Sequence, residues 1–483
     1  MESGRRSSSP ARDGDTKRAK NGPVRSASST RSAGKKRKSQ QRIAPLYKRL
    51  PHGPHRLARN EVISNQRARI HGAMVEAVAR GGYEQTSVKQ VIALAGVSRR
   101  SFYEQFANKQ ACFMATFEAI VRRDLQRIRM AYLGRDGTLE QRARAAFESF
   151  AQLAHEDRNA TVLVLFEAQK AGVDGTMAVR RAAGLCEHML ARSFAESPAA
   201  LTLPKPIVRG IAGGMYGAAC GFVRDASSGH VDIAQELLDW TLLFQTPAAK
   251  DITERMAAGL TARMREIALA YGHGLAGAEA ASHDERTRLL QGVLRLATRE
   301  DYRTLSPPQI ADEANVSIDA FCELFADRDD CFLAALDMIS DELLAIAADP
   351  ELVSEEWSRA VRRVLGELMR YLADHPLHAR TLAQEGFYAG AAAVQRIVEL
   401  FASIATLLTE GAPEQAQCQL IDDAVAGALL HTIRCQVIDG RVQLLAALSD
   451  HLSYVVLAPF IGADAAVEIV TEPRQPSRDA AAA

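Results

Sequence analysis

Apolar residues recur at helical spacing from about residue 67 onward. Ile70, Ala73, Met74, Ala77 and Val78 make one face of a helix that Gly81-Gly82-Tyr83 ends. Val88, Val91, Ile92 and Ala95 keep the same period over a second, short helix. Thr86 is the residue type that caps such a helix, and Gly96 follows where a helix end favours positive φ. Ser98 can cap a third helix whose buried side carries Phe102 and Phe106. Arg99, Arg100, Ser101 and Tyr103 are then left to project from its N-terminal part. Asn108-Lys109-Gln110-Ala111-Cys112-Phe113 opens a fourth helix. Two short helices joined by a tight turn, the second presenting cations and hydroxyls, form the arrangement that enters the major groove of DNA.

Farther on, from Phe113 to about Ala270, the pattern is helix after helix: Thr116 to Met130, Leu139 to Ala154, Ala160 to Lys170, Met177 to Ala195, Ile207 to Ala226 and Val231 to Leu243. Gly134-Arg135-Asp136-Gly137, Gly172-Val173-Asp174-Gly175, Pro198, Pro204, Pro206 and Pro247 punctuate it, and no alternating strand pattern intervenes. The chain then repeats itself. Tyr302, Ser306, Gln309, Ala314, Val316-Ser317, Phe321, Phe325-Ala326 and Cys331-Phe332 mirror Tyr83, Ser87, Gln90, Ala95, Val97-Ser98, Phe102, Phe106-Ala107 and Cys112-Phe113 at one constant offset. Arg286 and Arg288 mirror Arg67 and Arg69, and Val425-Ala426-Gly427 matches Ile211-Ala212-Gly213.

The stretch from Arg67 to Phe117 resembles the N-terminal DNA-binding domain of the tetracycline-repressor (TetR) family of bacterial regulators. Gly82-Tyr83, Thr86-Ser87-Val88, Ala95-Gly96-Val97-Ser98 and Phe102-Tyr103-x-x-Phe106 carry the likeness. The resemblance implies an all-α protein of two tandem TetR-like units, each a helix-turn-helix domain followed by a helical effector and dimerisation core. Leu163 to Gly172 looks like a helix lining the first core, and His451 to Phe460 resembles the last helix of many family members. The expected domains are a disordered basic arm at 1–58, a helix-turn-helix domain at 59–112 and a helical core at 113–270. A linker at 271–284, a degenerate helix-turn-helix domain at 285–340, a second core at 341–468 and a disordered tail at 469–483 complete the chain. By the same resemblance, Arg99, Arg100 and Ser101 are expected near base edges, with Ser98 opening their helix. Thr86, Ser87, Lys89, Tyr103 and Lys109 are expected on phosphates. Arginine can pair bidentately with guanine, while lysines and hydroxyls hold register on the backbone.

The second copy has the core positions of the first but a different outer face. Ile318, Asp319, Ala320 and Cys322 stand where the first copy has Arg99, Arg100, Ser101 and Tyr103. Pro308 replaces Lys89, and Arg328 replaces Lys109 among Asp327, Asp329 and Asp330. An acidic surface is repelled by phosphates, and Pro307-Pro308 is expected to alter the start of the supporting helix. The fold should therefore persist without groove binding; the alternative is a different DNA contact through Arg303 or Arg328.

Charge changes the picture in one place. The chain has a net charge of +1, but residues 1–60 hold 17 Lys and Arg against 3 Asp and Glu, with Lys35-Lys36-Arg37-Lys38 the densest cluster. Such a segment cannot fold alone. It reads either as an arm along phosphates or as a solubilising extension. The 7 cysteines include no CxxC pair, so buried reduced thiols are expected, with a redox sensor as the alternative. No signal-peptide core appears, and the apolar run Gly210 to Val223 is too short and glycine-rich to span a bilayer, so a soluble cytoplasmic protein is expected.

Chemistry of other kinds is scarce. Gly272-His273-Gly274-Leu275-Ala276-Gly277 has dinucleotide-binding spacing but follows a helical segment rather than a strand. At His375-Pro376-Leu377-His378 the proline breaks helix pairing, so a helix boundary is expected there rather than a metal site. No HExxH, GxSxG or Walker-type loop occurs, and no cofactor is expected. Met189, Met215, Phe222 and Trp240 are candidates to face an effector or simply core. The partners expected are double-stranded DNA, a small-molecule effector of unknown identity, and a second half supplied by an intrachain pseudo-dimer or a homodimer. The competing class is a ligand-binding or scaffolding module of the same fold that does not read DNA.

Overall fold

A computed structural model of the chain describes residues 59–196, 202–224, 232–244, 256, 284–354, 356–413 and 420–473. Among them every regular element is a helix. The basic arm at 1–58, the glycine-rich spacing at 272–277, Cys418 and all but the last residue of the expected linker lie outside the described residues.

The first head comprises α1 (Arg59–Gln85), α2 (Val88–Ala95), α3 (Arg99–Tyr103) and α4 (Lys109–Leu133). Gly82, at φ 76°, breaks the helical path of α1 near its end, a conformation that a side chain would strain. Ser87, not Thr86, caps α2, in a reciprocal box with Gln90; Thr86 lies one position too early and is turned inward. Gly96 ends α2 in the left-handed region, Ser98 caps α3, and Asn108 caps α4. Ile70, Met74, Val91, Phe102, Cys112, Phe113 and Ile120 close the centre.

The second head, α10 (Glu285–Arg299), α11 (Pro307–Ala314), α12 (Ile318–Leu324) and α13 (Arg328–Ala347), is built by the same devices. Ser306 and Gln309 form the capping box, Asn315 takes the left-handed position of Gly96, and Ser317 and Asp327 cap the next two helices. The pair Pro307-Pro308 does not disturb the start of α11, contrary to expectation. Both prolines sit in its first turn, where the missing N–H groups have no helical partner anyway, and α11 is as long as α2, 8 residues.

Between the heads run α5 (Leu139–Glu156), α6 (Arg158–Val162), α7 (Gly172–Ala195), α8 (Lys205–Arg224) and α9 (Ile233–Leu242). The single helix expected from Ala160 to Lys170 is instead α6, a wide π-type turn at Leu163–Glu167 and a tight 3-10 turn at Ala168–Ala171. Gly172 to Gly175, expected as a break, begins α7. A Cβ on Gly175 would meet the Ala168 carbonyl at 2.0 Å, so this glycine serves close packing rather than a turn. After the second head come α14 (Trp357–Asp374), α15 (Pro376–Ala383), α16 (Ala391–Thr409), α17 (Ile421–Ile438), α18 (Leu445–Ile461) and α19 (Ala463–Thr471). The tail expected from 469 therefore starts inside a helix.

Helices α8 and α17 cross backbone to backbone. A Cβ on Gly213 would stand 2.8 Å from the Gly427 carbonyl, and one on Gly217 would stand 2.0 Å from the Asp423 carbonyl. Only bare glycine backbones can meet so closely. Trp240 donates its Nε1–H to the Ile211 carbonyl at 2.9 Å, and edge-on rings continue from Trp240 through Phe244 to Tyr454. Trp240 is thus core, not a ligand contact. Among the described residues two helical stretches, Ala391–Thr409 and Val442–Ile461, are long and apolar enough to cross a membrane by composition; the second is largely buried within the protein.

Candidate nucleic-acid interface

The outer face of the first head is made by α2 and α3. Serine hydroxyls fix where each helix begins: Gln90 and Ser101 donate their backbone N–H groups to Ser87 Oγ and Ser98 Oγ, at 3.3 and 3.0 Å. With Phe102 fully buried on the opposite side, the short α3 must turn Arg99, Arg100 and Tyr103 outward. Arg99 is exposed and lies over the Tyr103 ring at 5.6 Å, and Tyr103 itself is 45% exposed. The Arg100 side chain is 89% exposed and pairs with Glu104 at 2.8 Å, an ion pair weak enough in water to yield to a better acceptor. Ser87 and Lys89 are exposed on α2, and Ser101 is half-buried beside Ser98.

Two of the nine expected contact residues are placed differently. Thr86 is 4% exposed and donates its hydroxyl to the Gly82 carbonyl at 2.8 Å, so it supports the bend at the end of α1. Lys109 is half-buried over the Tyr83 ring and donates to the carbonyls of Tyr83 and Glu84 at 3.0 and 3.2 Å. Burial, followed by the charge of Arg303, lowers its pKa. Its first task is to staple α4 to the end of α1. Arg328 does the same in the second head, lying over Tyr302 and donating to the Tyr302 and Arg303 carbonyls, both at 3.1 Å.

The face is supported from behind. Arg69 donates to the carbonyls of Ala95 and Gly96, fixing the turn, and Arg67 covers Phe106 at 5.2 Å. A connection the sequence did not reveal comes from Glu167 in the π-type turn. Its Oε2 accepts the Tyr83 N–H at 2.8 Å, and its Oε1 pairs with Lys170 at 2.6 Å. This ties the backbone at the α1 bend to the helical body. The only sequence signal is a carboxylate in an apolar run, and its partner lies 84 positions away.

Residues 72–116 match the family described as bacterial regulatory proteins, tetR family. Over these residues the first head is similar to that family. Among curated proteins none matches the chain. The matched segment starts within α1, contains both short helices and reaches into α4, so the exposed cations stand on the part that is similar to the family.

The corresponding face of the second head carries Ile318 and Leu324, each 40% exposed, with exposed Asp312, Asp319, Cys322, Glu323, Asp327, Asp329 and Asp330. Between the two heads opens a cleft of about 480 Å³, lined by Tyr83, Glu84 and Lys109 on one side and Tyr302, Arg303 and Arg328 on the other.

Proposed function

We propose that the protein is a ligand-responsive transcriptional repressor, cytoplasmic and not enzymatic, that reads operator DNA through the first head alone. The observation that carries this reading is the outward set of Arg99, Arg100 and Tyr103 on a tetR-type domain whose core is complete without them. Lys89 and Ser87 flank that set at the start of α2, as residues that hold phosphates should. The acidic, partly apolar face of the second head favours a scaffolding role there.

The chain is, in this reading, two TetR-like units joined in tandem and closed on each other as an internal pseudo-dimer. Support comes from the repeated capping and stapling geometry of the heads and from the pairing of α8 with α17 through matched glycines. An effector held by the body would act on the first head through Glu167 and the bend at Gly82. One held in the cleft would press on both heads at once.

Selection of duplexes from a random pool, followed by gel shifts with Arg99→Ala and Arg100→Ala, tests the reading. Sequence-preferring binding that each change weakens supports it; binding indifferent to both favours a scaffold. Footprint length together with solution mass distinguishes the pseudo-dimer from a pair of chains, because two competent heads would protect two half-sites about one DNA turn, or a multiple of it, apart.

A further inference from the structure

Glu187 on α7 meets His431 and Cys435 on α17 in the interior of the body, across 244 positions of sequence between Glu187 and His431. His431 and Cys435 are one turn apart on the same face of α17, which is the spacing that lets two side chains share one ion. Glu187 Oε1 lies 3.2 Å from His431 Nε2 and 4.0 Å from Cys435 Sγ, and the sulfur lies 3.5 Å from the imidazole nitrogen. A tetrahedral zinc ion, at bond lengths of about 2.0–2.3 Å, spaces its ligand atoms about 3.3–3.7 Å apart. The three separations come within a few tenths of an ångström of one face of such a tetrahedron, the Glu187–Cys435 edge being the longest. The site is enclosed: Glu187 is 7% exposed, Cys435 is fully buried, and the His431 side chain is 14% exposed.

The surroundings allow a cation. Arg180 and Arg209 approach the two oxygens of Glu187 at 3.2 and 3.5 Å, and Asp439 takes Arg209 at 3.0 Å. Glu187, Asp439 and a Cys435 thiolate together offset three of the four positive charges that the two guanidinium groups and a divalent ion bring, so an anionic fourth ligand completes the balance. Each carboxylate oxygen has two lone-pair sites, so Oε1 can serve both Arg180 and an ion. A thiolate, an imidazole and one carboxylate oxygen select a thiophilic divalent ion over calcium or magnesium.

We propose that Glu187, His431 and Cys435 form a binding site for a thiophilic divalent metal ion of the zinc type, with the fourth corner taken by a small anion. Its ligands come from α7 and α17, so occupancy ties these two distant stretches of the chain together whether or not DNA is bound. The site is independent of the function proposed above.

Cobalt titration of chelator-treated full-length protein, followed by displacement with zinc, reads the site directly. The expected result is one cobalt per chain, with thiolate-to-cobalt charge transfer and the visible bands of a tetrahedral ion, both removed by zinc. Cys435→Ser should abolish the charge-transfer band. His431→Gln and Glu187→Gln should each weaken binding at least tenfold, while a Cys186→Ser, Cys322→Ser, Cys418→Ser variant binds as the parent does. Circular dichroism and melting of the metal-free variants establish that they fold; if Cys435→Ser does not, the two glutamine variants decide. No thiolate band, a band that survives Cys435→Ser, or wild-type affinity in folded His431→Gln and Glu187→Gln would overturn the site and leave a buried ion-pair cluster only.

Discussion

In the first head the residues after the capping Ser98 are Arg99, Arg100, Ser101, Phe102 and Tyr103; after Ser317 in the second they are Ile318, Asp319, Ala320, Phe321 and Cys322. The buried phenylalanine and the cap are common to both, and so are the arginines that hold the turn and cover the ring behind it. Arg69 and Arg288 reach the carbonyls at the end of their turns, and Arg67 and Arg286 lie over Phe106 and Phe325 at 5.2 and 5.7 Å. A head of this kind is specified by caps, a left-handed turn residue and a ring cluster. Its outer face is free to vary without altering those.

The heads also differ in what lies beneath them. The core of the first is a separate cluster, completed by Ala160, Leu163, Ala168, Ala171 and Ala178 of the adjoining body. The core of the second runs without interruption into the main body, from Leu289 and Phe321 through Val361 and Leu382 to Tyr454. The head that carries exposed cations is therefore the one able to yield as a unit, and the one with the acidic face is fused to the frame.

Deleting the buried ring should give the largest effect and break the symmetry. Phe102→Ala and Phe321→Ala should each cost about 3–5 kcal/mol. Hydrogen exchange should place the loss from Phe102→Ala mainly in α1 to α4, whereas Phe321→Ala should weaken protection through α14 to α18 as well. Equal spread in both variants would contradict the difference in cores.

Acid should separate the heads next. His71 is buried in the first head, with its Nδ1 2.7 Å from Thr116 Oγ1, while the second head has Leu290 at that position. Burial, then the charge of Arg67, lowers its pKa to about 4. The folded form keeps this ring neutral, so stability is intact above the unfolded value near 6.5 and falls as pH drops toward 4. The loss should approach about 3 kcal/mol. Urea unfolding of wild type and His71→Leu at pH 7 and pH 4.5 checks this, the variant losing less on acidification.

Smaller effects belong to the outer faces. Arg99→Ala and Arg100→Ala should each cost about 1–3 kcal/mol on a selected duplex and relax preference at the base contacted, while Asp319→Ala should change neither. Quantitative gel shifts on single-base variants of the duplex measure both. Lys89→Ala should weaken all sequences alike and lower the slope of log affinity against log salt by about 0.9, with Pro308→Ala leaving the slope unchanged.

Much of this was legible in the sequence, because the first head is made from local signals. Caps, turn residues and ring spacing all fall within about fifty residues, and the repeat doubled them. Sequence misleads where neighbours compete or distance intervenes. Thr86 and Ser87 are both good caps, and only the inward turn of Thr86 decides between them. Lys109 reads as a free cation, yet the Tyr83 and Glu84 carbonyls claim it. Gly175 and Gly217 read as punctuation or as part of an apolar run, but they are places where helices meet backbone to backbone. Glu187, His431 and Cys435 share no local pattern, so folding alone brings them together.

The most direct test gives the first head the second head's face. A chain with Arg99→Ile, Arg100→Asp, Ser101→Ala and Tyr103→Cys keeps the caps and Phe102, and its binding to a duplex selected by the wild type is measured by fluorescence anisotropy. The expected result is a folded protein with unchanged helical content and no preference for that duplex over random DNA. Retention of the wild-type preference by the exchanged chain would contradict it.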